Sequence, residues 1–112
     1  MPVSALLCFC TCPDPATAER LAEALVGERL AACANIVPGL RSIYRWQGTV
    51  ERADEVLLLV KTQARLLQRL QERLLELHPY ELPGLVAVEI DHGLPATLRW
   101  IADETRLEPI PE

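Results

Sequence analysis

The feature that most constrains the fold is a pair of long extended segments joined by a short connection. They cover residues 35–46, NIVPGLRSIYRW, and residues 49–62, TVERADEVLLLVKT. Between them, Gly48 supplies the positive φ that a tight hairpin turn needs. Because proline cannot donate a ladder hydrogen bond, Pro38-Gly39 predicts a bulge or a bend in the first arm.

This hairpin is long for a chain of 112 residues and 12.5 kDa. Arms of about a dozen residues extend about 40 Å at about 3.3 Å per residue, whereas we expect residues 1–112 to form one small domain. An overhanging strand pair invites aggregation, and a closed cyclic oligomer is the usual way to cover it. With 50% hydrophobic residues and a mean hydropathy of +0.13, the chain has apolar surface for such contacts.

The first part of the chain combines a strand pattern with a helix pattern. Residues 3–11 form a nearly continuous apolar run, which favours a strand buried on both faces. A first helix is predicted over residues 15–32, with Asp14 as its N-cap and Pro15 at its first position.

The second part repeats this order and ends in a further helix. An amphipathic helix is predicted over residues 64–77, and it should stop at His78 because the X-Pro step disfavours helical geometry. A short strand over residues 85–91 and a helix over residues 94–104 follow. The predicted fold is α+β, a ferredoxin-like βαββαβ arrangement with a long extended hairpin and a C-terminal helix.

Charge and composition narrow the possible partners. The net charge of −5 and the pI of about 5.0 lack the basic footprint of nucleic-acid binders. The uncharged start of the chain shows no signal-peptide pattern and is too short to span a bilayer. We therefore expect a cytoplasmic protein that contacts neither nucleic acid nor membrane, and whose four cysteines stay reduced.

The cysteines are the first candidates for metal binding. Cys8, Cys10 and Cys12 alternate along the first strand, so they share one face about 7 Å apart. Thiolates are soft donors for Cu(I) and Zn(II), although this spacing is not that of a structural zinc site. Core filling explains Cys8, whereas for Cys10 and Cys12, nearer the strand end, both core and metal roles stay open. Cys33 lies at a helix-to-strand junction, where a thiol can be either buried or exposed.

The histidines and the hairpin add further candidates. His78 ends a helix, where the dipole favours a cation, and this position is typical of a half-exposed surface histidine. His92 fits a turn. Trp46 and Lys61, with Tyr44 and Glu55, could form a cleft for a small polar or anionic ligand, or could pack as cross-strand pairs. No nucleophile elbow or phosphate loop is recognisable, so we expect a binding protein and not an enzyme.

Three ordered motifs point to a known family: RLAACANIVPG at residues 29–39, SIYRWQG at residues 42–48 and HPYELP at residues 78–83. Together with the rest of residues 3–104 they resemble the divalent-cation-tolerance family CutA. The resemblance implies a ferredoxin-like subunit in a homotrimer, similar to the PII signalling proteins, with hairpin arms exchanged between neighbours. It also implies a role in tolerance of copper or other divalent metals.

The resemblance carries metal binding to Cys10, Cys33 and His78, which match the family's cysteine and histidine positions. Some relatives have a second histidine before the proline, where this chain has Leu77, so one imidazole donor is missing. Cys12 could supply the lost donor. We expect no obligatory cofactor, and either Cu(I)/Cu(II) or another divalent metal as the bound ion.

Two other functions stay open. In a PII-like sensor, a cleft between subunits would hold a small anion near Trp46, Lys61 and Tyr80, contributed by different chains. Pro79 and Pro83 would hold Tyr80 in place at low entropic cost. Alternatively, the trimer would serve as a scaffold for a partner protein.

Overall fold

A computed structural model describes residues 4–106 as a four-stranded antiparallel sheet with three α-helices. The elements are β1 (Ala5–Cys12), α1 (Pro15–Gly27), β2 (Cys33–Trp46), β3 (Thr49–Gln63), a 3₁₀ turn (Ala64–Leu66), α2 (Leu67–Leu77), β4 (Leu85–Glu89) and α3 (Pro95–Glu104). The strand order is β2-β3-β1-β4. This is the ferredoxin-like α+β arrangement, as predicted.

Helix α1 begins as predicted but ends earlier. The Asp14 carboxylate accepts a hydrogen bond of 2.7 Å from the Thr17 backbone N–H, and Pro15 follows the cap. The predicted end at residue 32 is wrong, because the helix stops at Gly27 and Arg29 adopts a left-handed φ of 62°. The backbone N–H groups of residues 30 and 31 then bond back to the Leu25 carbonyl, which closes the turn.

The hairpin overhangs the sheet. Strands β2 and β3 pair from Cys33↔Lys61 to Trp46↔Thr49, with a register shift at the predicted Pro38-Gly39 position. The connection has positive φ at both Gln47 and Gly48, as a two-residue hairpin of the I′ type requires. Because β1 pairs with β3 only as far as Cys12↔Val56, no strand of residues 4–106 lies beside the hairpin beyond that point. The longest dimension of the subunit is 53 Å.

Helices α1 and α2 cover one face of the sheet. The core between the helices and the sheet contains the three cysteines of β1 and buried leucines from both layers: Cys8, Cys10, Cys12, Leu21, Leu25, Leu58, Leu70 and Leu74. The other face is open apart from α3 at one end. There Leu7 and Phe9 are half-buried, and Val86 and Val88 are exposed. In the single subunit β1 is thus fully buried on its helix side only, not on both faces as predicted.

Helix α3 closes the open face near the start of β1. Ile101 packs with Ala5 and Ala32 in a second, smaller core cluster. Beside it, the buried Gln63 side chain reaches the end of α3 and bonds to Thr105. Within residues 4–106, none of the helices has the length and apolar character needed to cross a membrane.

Candidate metal centre

Three buried side chains with soft or borderline donor atoms meet at the end of β1. One donor atom from each of Cys10, Cys12 and His78 lies within 4.8 Å of the others. The two cysteines are neighbours on the helix side of β1, and His78 directly follows α2, which packs over that side. The structure therefore brings together Cys10 and His78, two of the three residues that the family resemblance suggested, with Cys12, which the sequence offered as a replacement donor.

His78 is buried, so its prediction as a half-exposed surface residue is wrong. Its side chain turns inward because α2 ends against β1, and only 7% of the residue is exposed. The Nε2 atom lies 2.9 Å from the Thr11 carbonyl oxygen, and Nδ1 lies 3.2 Å from the Tyr80 backbone nitrogen. Since a carbonyl only accepts and a backbone N–H only donates, we assign the neutral tautomer protonated at Nε2.

The helix stop at His78 follows the predicted rule. Its backbone is extended, with φ −79° and ψ 133°, and its N–H bonds to the Leu74 carbonyl. Both ring nitrogens of His78 are thus used in hydrogen bonds to backbone groups. A metal ion that binds this imidazole must displace one of these two hydrogen bonds.

The two thiols differ in acidity. A hydrogen bond from the Cys10 thiol to Cys12, together with burial, raises the pKa of Cys10 far above its ordinary value. The same hydrogen bond lowers the pKa of Cys12, against the opposing effects of burial and of Glu55. Burial raises the pKa of Cys8 to about 11, and its place in the core agrees with the core-filling interpretation.

Tyr80 joins the histidine turn to the hairpin. Its hydroxyl donates a hydrogen bond of 2.6 Å to Glu55 Oε2, and its ring centroid lies 4.7 Å from that of His78. Burial and this hydrogen bond raise the pKa of Tyr80. The sequence left open a cleft that contains Glu55 and Lys61. Within one subunit the two lie six positions apart on β3, about 20 Å along the strand, so they do not share a cleft there. The acidic pair Asp54-Glu55 at the start of the apolar run 56–60 was the available signal for the role of Glu55.

Cys33 lies on the other face of the sheet. It pairs with Lys61, which in turn pairs with Leu7, whereas Cys10 pairs with Leu58 in the helix-facing core. Since side chains alternate between faces, one subunit cannot bring Cys33 to the ion that Cys10 and His78 would hold. The Cys33 thiol donates a hydrogen bond of 3.6 Å to Asn35 Oδ1.

The residues of the predicted ligand cleft are also separated within one subunit. Trp46 lies at the hairpin tip, about 40 Å along the strands from Lys61. Tyr80 lies at neither place, since it contacts His78 and Glu55. His92 is exposed between β4 and α3, in agreement with the turn prediction. A cleft of Trp46, Lys61 and Tyr80 requires more than one chain.

The fold and the donor set define a small ferredoxin-like α+β protein with a buried cluster of thiol and imidazole groups. A family model described as "CutA1 divalent ion tolerance protein" matches residues 6–104. The chain belongs to this family, which confirms the resemblance read from its motifs.

Individual relatives agree over most of the chain. The "Divalent-cation tolerance protein CutA" of Thermus thermophilus is 52% identical over 95 residues, which are 85% of this chain and 92% of that protein. The human "Protein CutA" is 38% identical over 105 residues, which are 94% of this chain but only 59% of the human protein. The chain thus spans nearly all of the bacterial relative and about three fifths of the human one.

Solved structures of relatives have the same fold. The Thermus thermophilus divalent cation tolerance protein superposes with a TM-score of 0.89 at 48% identity, covering 91% of this chain and 99% of that one. CutA1 from Oryza sativa superposes with a TM-score of 0.90 at 37% identity, covering 96% of this chain and 98% of that one. These superpositions confirm the predicted fold class.

Proposed function

We propose that this chain is a cytoplasmic, homotrimeric metal-binding protein whose role is tolerance of copper or another divalent cation, by binding and not by catalysis. The observation that carries this proposal is the convergence of Cys10, Cys12 and His78 donor atoms within 4.8 Å. Thiolate and imidazole are the ligands that copper and zinc prefer. Reducing conditions would keep the thiols available for the ion.

The donor set fits a soft cation, with one adjustment. Cys10 and Cys12 supply two sulfurs from a rigid strand, and the lowered pKa of Cys12 favours its thiolate. His78 becomes a ligand only after it releases Tyr80 N–H or rotates away from the Thr11 carbonyl. Because these hydrogen bonds compete with the ion, we expect weaker binding than in a site whose histidine is free.

The trimer is supported by surfaces that one subunit leaves uncovered. The hairpin overhangs the sheet, and Val86 and Val88 are exposed on its open face. Strands β2 and β4 are edge strands with unpaired backbone groups. Light scattering should return a mass of about three times 12.5 kDa at micromolar concentration. A monomer mass would contradict this part of the proposal.

The metal centre is tested by a Cu(I) titration of the reduced protein against a chelator of known affinity. We expect tight binding in the wild type and its loss in the triple variant Cys10→Ser, Cys12→Ser, His78→Ala. The matched control is Cys33→Ser, which should bind as the wild type does. If the triple variant keeps its affinity, the proposed centre is wrong. If Cys33→Ser alone loses it, the ligand set implied by the family resemblance is the better one.

A second candidate function rests on Lys61. This residue is half-buried on the open face beside Leu7 and Cys33, and it forms no salt bridge within the described part of the chain. In a trimer, a small anion could pair with it in a cleft completed by Trp46 of a neighbouring subunit, as in a PII-like sensor. The test is a metabolite screen by thermal shift, in which any stabilising anion should lose its effect in Lys61→Ala.

A further inference from the structure

The proposed metal centre is enclosed, so a cation needs a route to it. Cys10 and Cys12 are at most 1% exposed, and helices α1 and α2 pack over their side of β1 through buried leucines. Opening that interface would disrupt the main core. A route must therefore run along the end of β1, where Cys12 is the last strand residue.

A groove of about 410 Å³ lies at that end. Its lining comes from the loop after Cys12, the bulge in β2 and the facing part of β3: Pro13, Asp14, Pro15, Pro38, Gly39, Leu40, Arg41, Asp54, Glu55 and Val56. The carboxylates of Asp14, Asp54 and Glu55 outnumber the single arginine, which is paired to Asp54 at 3.7 Å. A cleft lined by excess negative charge raises the local concentration of cations.

Tyr80 connects this groove to the histidine. Residues 78–84 follow α2 without regular secondary structure. Among residues 4–106, the Tyr80 side chain has one hydrogen bond, to Glu55 on the groove wall. Hydrogen bonds to a carboxylate are among the stronger ones in proteins. The Tyr80–Glu55 bond therefore fastens the segment that carries His78 to the wall of the groove.

The same residue occupies the ring nitrogen of His78 that carries the lone pair in this tautomer. The backbone N–H of Tyr80 donates to His78 Nδ1 at 3.2 Å and so occupies the one lone pair of the neutral ring. Pro79 restricts the backbone between these residues, so a displacement of the Tyr80 backbone away from Glu55 would also move its N–H away from Nδ1. One movement would then open the route and release the Nδ1 lone pair.

We propose that Tyr80 and Glu55 form a gate between the groove and the Cys10–Cys12–His78 cluster. With the gate closed, the thiols are shielded and the imidazole is engaged by backbone groups. When it opens, the Glu55 carboxylate faces an incoming cation and His78 can bind it. This inference rests on the proposed metal centre, but the shielding of the thiols is testable without any metal.

The test is the rate of thiol alkylation by iodoacetamide in the reduced, native trimer without metal. In Tyr80→Phe the ring stays and the bond to Glu55 is lost, so Cys10 and Cys12 should react about tenfold faster than in the wild type. The matched control is Tyr44→Phe, which removes the hydroxyl of the other tyrosine and should leave the rate unchanged. Cys33, on the opposite sheet face, is the internal reference.

Peptide mass spectrometry separates the outcomes. Trypsin places Cys8, Cys10 and Cys12 in one peptide, and fragmentation of that peptide resolves them. A gate predicts faster reaction of Cys10 and Cys12 with unchanged Cys8, which is equally buried but outside the cluster. Equal acceleration of Cys8 would mean global opening and would overturn the gate. Equal rates in Tyr80→Phe and wild type would overturn it as well.

A second variant separates shielding from charge. In Glu55→Gln the amide oxygen still accepts the Tyr80 hydroxyl, so alkylation should match the wild type. The rate of Cd(II) association is measured by thiolate charge-transfer absorption. It should be slower than wild type in Glu55→Gln, because the carboxylate charge is gone. It should be faster than wild type in Tyr80→Phe. If wild-type protein binds no metal, the proposed function fails, whereas the alkylation rates still decide the gate.

Discussion

Gln63 and Thr105, 42 positions apart in the chain, are joined by a buried hydrogen bond of 2.6 Å from Gln63 Nε2 to Thr105 Oγ1. The Thr105 hydroxyl in turn donates to the Ile101 carbonyl at 2.6 Å. Both residues are at most 2% exposed. This pair connects the end of β3 to the end of α3, and it satisfies a side-chain amide that would otherwise be buried without a strong partner.

We expect Thr105→Val to destabilise the protein by about 1–3 kcal/mol, since the buried Gln63 amide keeps only longer contacts. Those contacts, to the carbonyls of Ala102 and Thr105, are both 3.4 Å. Thr105→Ser retains the hydroxyl and should lose much less stability. Urea unfolding at a fixed subunit concentration measures the difference. Equal losses in both variants would assign the effect to packing of the methyl group instead.

Local rules predicted the order of elements well. The positive φ at Gly48, the cap at Asp14 and the stop before Pro79 each depend on one or two neighbouring residues, and each was confirmed. The end of α1 was predicted too late because the apolar spacing continues through Leu30. Leu30 is buried, but it lies in the turn that follows the helix.

The site was harder to predict, because it depends on which face of the sheet each residue occupies. Cys10 and Cys33 are both on strands, but only the register of β1, β3 and β2 shows that they lie on opposite faces. His78 was expected at the surface, since the sequence does not show that α2 ends against the Thr11 carbonyl. Contacts between distant segments decide both points, and no local pattern encodes them.

The core between α2 and the sheet should depend on Leu74 and not on its neighbour Leu75. Leu74 is 1% exposed and packs in the main cluster, whereas Leu75 is 61% exposed on the same helix. We expect Leu74→Ala to lower the free energy of unfolding by about 2–5 kcal/mol, because apolar burial is lost and a cavity remains. Leu75→Ala should change stability by less than about 0.5 kcal/mol. Denaturant unfolding of both variants measures this. A large loss for Leu75→Ala would show that another subunit covers it.

Helix α1 should show an acid-dependent cap. The hydrogen bond from Thr17 lowers the folded-state pKa of Asp14 below the ordinary 3.8. A lowered folded-state pKa stabilises the protein above the unfolded-state pKa, and this stabilisation is lost as the pH falls through the folded-state value. Asp14→Asn keeps a capping oxygen but does not titrate. The difference in melting temperature between the two proteins should therefore be constant near neutral pH and change below about pH 4. A constant difference down to pH 2 would contradict the cap's titration.

Metal binding at the proposed centre should strengthen as the pH rises. The pKa of the Cys10 thiol lies far above its ordinary value, so an ion that binds this sulfur at neutral pH must displace its proton. Each displaced proton changes the apparent affinity by about tenfold per pH unit, and lower pH weakens binding. In Cys10→Ser the slope of affinity against pH should fall by about one proton.

The matched control for this slope is Cys8→Ser. Burial raises the pKa of Cys8 to about 11 as well, but Cys8 lies outside the donor cluster, so its replacement should leave the slope unchanged. Chelator competition at a series of pH values, corrected for protonation of the chelator, provides the measurement. Equal slopes for the wild type and Cys10→Ser would mean that the ion displaces no proton from Cys10. The sulfur of Cys12 and the imidazole of His78 would then have to hold the ion without the Cys10 sulfur.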